Sequence, residues 1–221
     1  MIRFVMPAVV VAGLVSGPAR AADGDWSVMT DVSPDMALRV GDVPAHPASG
    51  GFALAVVDGT WHLVPATFVG RITDTDEHGA PQAVTITATP ADALAYLRLP
   101  GLVEGKVDTP DMRFKGARHD LVEKAIPMPF KGTTWRFEPK DKRLWFTDGK
   151  RRQQIDDLPE PSDQYPAGLG LVWAGDLDRD GKLDFVVQVS GDDGSTTCVW
   201  LSSKAAAGQL VGKAACVDRL F

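Results

Sequence analysis

The chain has 221 residues, 23 Lys and Arg against 29 Asp and Glu, a formal net charge of −6 and two cysteines. That length supports a real apolar core, and the acidic balance argues against a general nucleic-acid binder, whose affinity rests on Lys and Arg. Past the N-terminus no apolar run approaches the roughly 20 residues of a spanning helix, so no membrane span is expected.

The first elements read as a targeting segment. Arg3 supplies a positive start, Phe4 to Val15 is apolar, Gly17-Pro18 breaks the run, and Ala19-Arg20-Ala21 is an Ala-x-Ala cleavage site. That tripartite pattern is a secretory signal peptide over residues 1–21. No cysteine follows it, so a lipoprotein anchor is not expected. Removing Arg3 and Arg20 leaves 21 basic residues against 29 acidic ones, a net charge of −8. The expected address is periplasmic or secreted.

Turn signals then punctuate short β-prone runs. Phe52 to Val57 and Trp61 to Val64 flank Asp58-Gly59, a dipeptide suited to a tight type I′ hairpin. Thr67 to Thr73 and Ala83 to Thr89 read as strands by β-branching and alternation. Residues 90–98 are open between a short helix, with Thr89 as cap and Pro90 in the first turn, and a strand. A three-strand meander is predicted from Thr133-Thr-Trp-Arg-Phe-Glu138, Arg143-Leu-Trp-Phe-Thr147 and Arg151 to Ile155, with turns at 139–142 and Asp148-Gly149. Its basic residues (Lys140, Lys142, Arg143, Lys150, Arg151, Arg152) are interleaved with Trp135, Trp145 and Phe146. A single-stranded nucleic-acid platform uses that mixture. In an acidic, exported chain the expectation is a strand face with aromatics inward and charges outward, and no nucleic-acid partner. Three prolines in residues 157–168 mark a linker or long surface loop. Strands follow at Leu169 to Ala174, Phe185 to Val189 and Thr196 to Leu201, and no 20–50-residue repeat recurs.

The most informative segment is Asp176-Leu-Asp-Arg-Asp-Gly-Lys-Leu-Asp184. Calcium takes six to eight oxygens at about 2.3–2.6 Å. Asp176, Asp178 and Asp180 fill loop positions 1, 3 and 5, Gly181 allows the sharp turn, Lys182 offers its backbone carbonyl, and Asp184 supplies a fourth carboxylate. Clustering four carboxylates without a cation is electrostatically costly. Position 12 is Val187 rather than the bidentate Glu of an EF-hand, and the following residues are β-branched, so the loop leads into a strand.

The ligand spacing followed by a strand resembles the calcium loops of FG-GAP and VCBS-type repeats, which implies calcium and a bidentate role for Asp184. One copy is present, where those families use several to build a propeller. The segment Trp173-Ala-Gly-Asp-Leu-Asp-Arg-Asp-Gly-Lys-Leu-Asp-Phe185, with Leu201-Ser202-Ser203 and Gly208-Gln-Leu-Val-Gly212 downstream, resembles uncharacterised exported proteins of Gram-negative bacteria. That resemblance implies a periplasmic address and calcium, with no known activity.

Cys198 and Cys216 form an even pair, expected as a disulfide in an exported chain. No His-Glu-x-x-His, Gly-x-Ser-x-Gly, Ser-x-x-Lys, phosphate loop or dinucleotide fingerprint is present, so no catalytic residue is expected. His46, His62, His78 and His119 are scattered, and His119-Asp120 lacks a nucleophile. A pair of glycosidase carboxylates distant in sequence would leave no local motif.

The expected fold is mainly β, with antiparallel sheets in a sandwich- or barrel-like arrangement and a C-terminal strand–calcium loop–strand module. Its parts are a signal peptide (1–21), a β-rich N-terminal region (22–165) and the calcium-loop module (166–221), packed as one globular unit. The expected function is a calcium-binding exported protein that binds or interacts with another envelope protein or a polysaccharide, the ion being structural. Alternatives are an envelope-polymer hydrolase and a periplasmic inhibitor or immunity-type protein.

Overall fold

The structure is a computed structural model, described here for residues 28–30, 37–39, 51–75, 77–79, 81–112, 119–158, 168–191 and 194–220. Residues 1–21, read above as a signal peptide, and most of the proline-rich 157–168 segment lie outside the described residues. The described chain is mainly β, with antiparallel sheets, as its turn-punctuated alternation predicts. Among the described residues a 3₁₀ turn, Ser202–Lys204, breaks the pattern. No helix among the described residues is long and apolar enough to cross a membrane.

The first sheet holds β1 (Val28–Thr30), β2 (Ala37–Arg39), β3 (Gly51–Val57), β4 (Thr60–Thr75), β5 (Pro81–Thr89), β6 (Ala95–Leu97) and β7 (Gly105–Lys106). Its order is β1-β6-β3-β4-β5-β2, with β7 also paired to β4. The 16-residue β4 is shared: Thr60–Ala66 pairs with β3, and Thr67–Thr75 pairs with β5. Asp58 (φ 48°) and Gly59 (φ 78°) make the two-residue turn that their sequence predicts.

Residues 90–98 resolve to a turn and a strand. Pro90 to Ala93 turns the chain, Leu94 N–H donates to Leu54 O at 2.8 Å, and β6 slots between β1 and β3. Tyr96 Oη donates to Pro90 O at 2.6 Å and closes the turn. Ala95, Tyr96 and Leu97 are all buried, so packing on both faces of the sheet overrides the local helical signals.

A short strand, β8 (His119–Asp120), pairs with the last sheet. The meander then has four strands rather than three: β9 (Ile126–Phe130), β10 (Thr133–Lys140), β11 (Arg143–Thr147) and β12 (Arg152–Asp157), in the order β12-β11-β10-β9. Pro127 and Pro129 hide β9 in the sequence. They are tolerated because β9 is an edge strand within this sheet and both prolines face outward. The 139–142 turn tightens to Asp141 and Lys142, both at positive φ.

The last sheet runs β16-β15-β14-β13-β8, from β13 (Gly168–Gly175), β14 (Asp184–Gly191), β15 (Gly194–Leu201) and β16 (Gly212–Leu220). Its strands read as nearly continuous apolar runs because both faces of β13 and β14 are buried.

One buried cluster draws on all three sheets, including Leu54, Leu63 and Leu97, Phe137 and Phe146, and Phe185 and Val199. Phe185 enters the meander's aromatics, with ring centroids 4.8 Å from Phe137 and 4.9 Å from Phe146. Trp173 meets Trp61 of the first sheet edge-on at 6.3 Å. Gln153 of β12 bonds the backbone at Leu210 N, Val211 N and Val211 O, tying the meander to the segment before β16. Trp173 and Phe185 therefore fix both ends of the loop between β13 and β14.

Cys198 and Cys216 are direct cross-strand partners on β15 and β16 and form a disulfide, with Cα atoms 4.1 Å apart. The bridge closes a loop at a sequence separation of 18 residues. Its removal from the unfolded-state constraint is worth about 3 kcal/mol, or a fall of roughly 6–12 °C in a chain of this size. The check is thermal unfolding of a Cys198→Ser, Cys216→Ser double variant. An unchanged midpoint would show that β16 is held without the bridge.

Candidate metal centre

The loop from Asp176 to Leu183 leaves β13 and re-enters the sheet at Asp184. Two apolar anchors set its depth, since Leu177 and Leu183 are buried while Arg179 to Lys182 stay exposed. Gly181 adopts φ +87°, a left-handed conformation that favours glycine, and its N–H donates to Asp176 Oδ2 at 3.0 Å. That bond curls the loop back onto its first residue. Asp178 and Asp180 each accept from the amide two residues on, at 3.3 and 2.9 Å, which turns the chain at alternate positions.

The loop is also clamped from outside. Asp176 N–H donates to Asp108 O at 2.8 Å. The Arg179 guanidinium reaches Val103 O at 3.0 Å and Glu104 O at 2.7 Å. Ser202 N–H and Oγ donate to Asp184 Oδ1 and Asp180 Oδ2, both at 2.7 Å, and Ser203 Oγ bonds Asp178 Oδ2.

Asp176, Asp178 and Asp184 each present a carboxylate oxygen, and these oxygens lie within 4.8 Å of one another. Oxygens shared by one ion with bonds of about 2.3–2.6 Å sit at most about 5 Å apart, so the trio fits around a single cation. Asp176 and Asp184 are buried, at 3% and 0% exposure. Asp176 Oδ1 is buried without a hydrogen-bond partner, the kind of lone pair an ion would take up. Asp180 is not drawn into this trio: its oxygens go to Lys182 N–H and Ser202 Oγ. The Lys182 ammonium sits 3.5 Å from Asp180 Oδ2.

Asp184 is the most constrained member. Oδ2 accepts from Leu177 N–H at 2.7 Å and Asp178 N–H at 3.3 Å, and Oδ1 from Ser202 N–H. Burial, helped by the nearby Asp178 charge and opposed by the three amides, nonetheless pushes its carboxyl up to about 7. Three donated amides do not compensate a fully buried charge here, and a cation would.

The structure adds participants that the spacing did not reveal. Lys131, in the β9–β10 turn, places its ammonium 2.6 Å from Asp176 Oδ2 and 3.1 Å from Asp108 Oδ2. The hydrogen bond to Asp176 holds Lys131 above the usual lysine range. Lys131 is 45 residues from Asp176, and no local pattern announces that pairing. Ser202 and Ser203, by contrast, stand just after β15 in the segment whose resemblance drew attention to it.

Among the described residues, shallow grooves lie beside the loop and away from it. One, of about 400 Å³, runs beside the loop past Trp61, Lys106, Asp108 and Lys131, and its single carboxylate is paired with Lys131. The other, of about 380 Å³, includes His119, Asp120 and Glu123. There Asp120 Oδ1 accepts Val122 N–H at 2.6 Å, which makes it a turn-former. No family model, curated protein or solved structure matches the chain, so the chemistry of the centre is read from its own residues.

The raised carboxyl of Asp184 carries a sign for stability. Its folded value, about 7, lies above the unfolded value, 3.8. Its contribution is therefore fully present below pH 3.8 and lost as pH rises through about 7. In chelator, denaturant midpoints of the wild type should fall across that window, and an Asp184→Asn variant should show a flatter profile. Equal slopes in the two would show that Asp184 does not titrate there.

Proposed function

We propose that the Asp176–Asp184 loop binds calcium and that the ion is a structural rivet in an exported protein. The observation that carries this reading is the convergence of Asp176, Asp178 and Asp184 oxygens at a buried centre where Asp176 Oδ1 has no partner. All the candidate donors are oxygens, the preference of a hard cation, and the loop's run of alternate aspartates and a left-handed glycine suits calcium over a smaller ion. The loop spacing also assigns Asp180 and the Lys182 carbonyl to the shell, although the Asp180 oxygens here accept from Lys182 N–H and Ser202 Oγ. The disulfide supports an oxidising, exported address, and the N-terminal tripartite segment supports a periplasmic or secreted one.

Structural rather than sensory use follows from the surroundings. The loop is clamped by Asp108, Glu104, Ser202 and Ser203, and its ends are anchored by Trp173 and Phe185, which supports a structural use. Asp176, Asp178 and Asp184 hold the ion, which neutralises their charge and fixes the strand–loop–strand. Extracellular calcium is plentiful, and a dissociation constant of about 10⁻⁴–10⁻³ M suffices.

At a calcium concentration about a hundredfold above that constant, binding adds about 2.7 kcal/mol, or a rise of roughly 5–10 °C over chelator. Asp178→Ala should abolish that difference. Identical midpoints for wild type and variant, with and without calcium, would sink the proposal.

Lys131 gives a sharper check, because its ammonium shares Asp176 with the ion. Lys131→Met should lower the midpoint in chelator, leaving Asp176 uncompensated. It should also tighten calcium binding by about threefold or more, since a like charge beside the site is removed. Weaker calcium binding, by calorimetry, would place Lys131 as a support of the site instead of a competitor.

A further inference from the structure

The disulfide closes a covalent ring that carries part of the metal loop's outer clamp. Cys198 and Cys216 bracket residues 199–215, which run from the end of β15 through the Ser202–Lys204 turn into β16. Within that ring Ser202 N–H and Oγ donate to Asp184 Oδ1 and Asp180 Oδ2, both at 2.7 Å, and Ser203 Oγ bonds Asp178 Oδ2. The serine turn is backed directly by β16. A Cβ added at Gly212, the first residue of that strand, would lie 2.0 Å from Lys204 O. The position of β16 is therefore passed to the turn by backbone contact. Gln153 holds the ring before Gly212, at Leu210 and Val211, and the bridge holds it after, at Cys216.

The two halves of the bridge differ in access. Cys198 is 4% exposed, whereas Cys216 is exposed on β16, which pairs only with β15 among the described residues. Thiol–disulfide exchange requires access to one sulfur, and exposed bridges are the labile ones. A thiolate of a dithiol attacks Cys216 Sγ, the S–S bond breaks, and Cys198 leaves as a thiolate that takes up a proton. The second thiol of the dithiol attacks the mixed disulfide, and Cys216 leaves in the same way. Two electrons and two protons pass to the cysteines, and the dithiol becomes a disulfide.

We propose that the Cys198–Cys216 bridge is a redox control on the metal loop: opened by a dithiol, it loosens the Ser202–Ser203 clamp and weakens calcium binding. The inference rests on the calcium reading given above. Reduction frees β16 beyond Gly212, and the turn that β16 backs loses its fixed position. Asp178, Asp180 and Asp184 then lose donors that orient their carboxylates, and outer donors of this kind carry a large share of metal affinity. By linkage, calcium bound at the loop opposes opening of the bridge to the same degree.

The test is calorimetric titration of calcium into the oxidised protein and into the same protein reduced with dithiothreitol, at a temperature where their circular dichroism spectra coincide. Reduction should weaken calcium binding by about fivefold or more. A Ser202→Ala, Ser203→Ala double variant should bind calcium more weakly when oxidised and lose most of the redox dependence. A bridge acting only through overall stability would leave that dependence in place. A second readout needs only the folded, oxidised protein. Dithiothreitol should open the bridge more slowly in calcium than in chelator for the wild type, and equally fast in both for Asp178→Ala. Equal calcium binding by oxidised and reduced forms, or bridge opening unmoved by calcium, would overturn the coupling and leave the structural ion standing. Oxidised protein that binds no calcium would overturn the metal reading and the coupling together.

Discussion

The buried carboxylate of Asp184 is the constraint around which the C-terminal sheet is arranged. It stands at the first position of β14, fully buried, and gathers amides from Leu177, Asp178 and Ser202. Those donors come from the loop and from the turn after β15, so one side chain fastens three consecutive segments. A charge removed from water in this way is costly unless it is compensated. Amides supply part of that compensation, and burial still lifts the carboxyl to about 7. The neighbouring Asp178 charge adds to that cost.

The same logic explains why the loop is not free-standing. Asp176 lies under Asp108 O, Lys131 bridges Asp108 and Asp176, and Arg179 reaches the backbone at Val103 and Glu104. Each contact joins the loop to the N-terminal part of the chain. Trp173 and Phe185 do the same in apolar terms, touching Trp61 and the meander aromatics. A rivet here strengthens a junction among sheets rather than a surface appendage. The disulfide acts one strand further out, pinning edge strand β16 to β15.

Much of this was legible in the residues. Asp58-Gly59 placed its hairpin, β-branched alternation placed β4 and β5, and the aspartate spacing placed the loop between two strands. What escaped is long-range or masked by composition. Pro127 and Pro129 disguise β9, whose apolar residues alternate as Ile126, Met128 and Phe130. Thr89-Pro90 imitates a helix start, while the pairing of β6 with β1 and β3 decides the outcome. Lys131 and Asp108 reach the centre only through the tertiary fold. The basic and aromatic residues of the meander divide by strand parity, with Trp135 and Phe146 inside and Trp145 outside.

The most direct measurement of the metal centre is equilibrium dialysis of residues 22–221 against radiolabelled calcium, beside an Asp184→Asn variant of equal foldedness by circular dichroism. One calcium retained per wild-type chain, and none per variant at the same free concentration, is the expected result. Wild-type chain that retains no calcium, or a variant that retains as much, would contradict a cation at Asp176, Asp178 and Asp184.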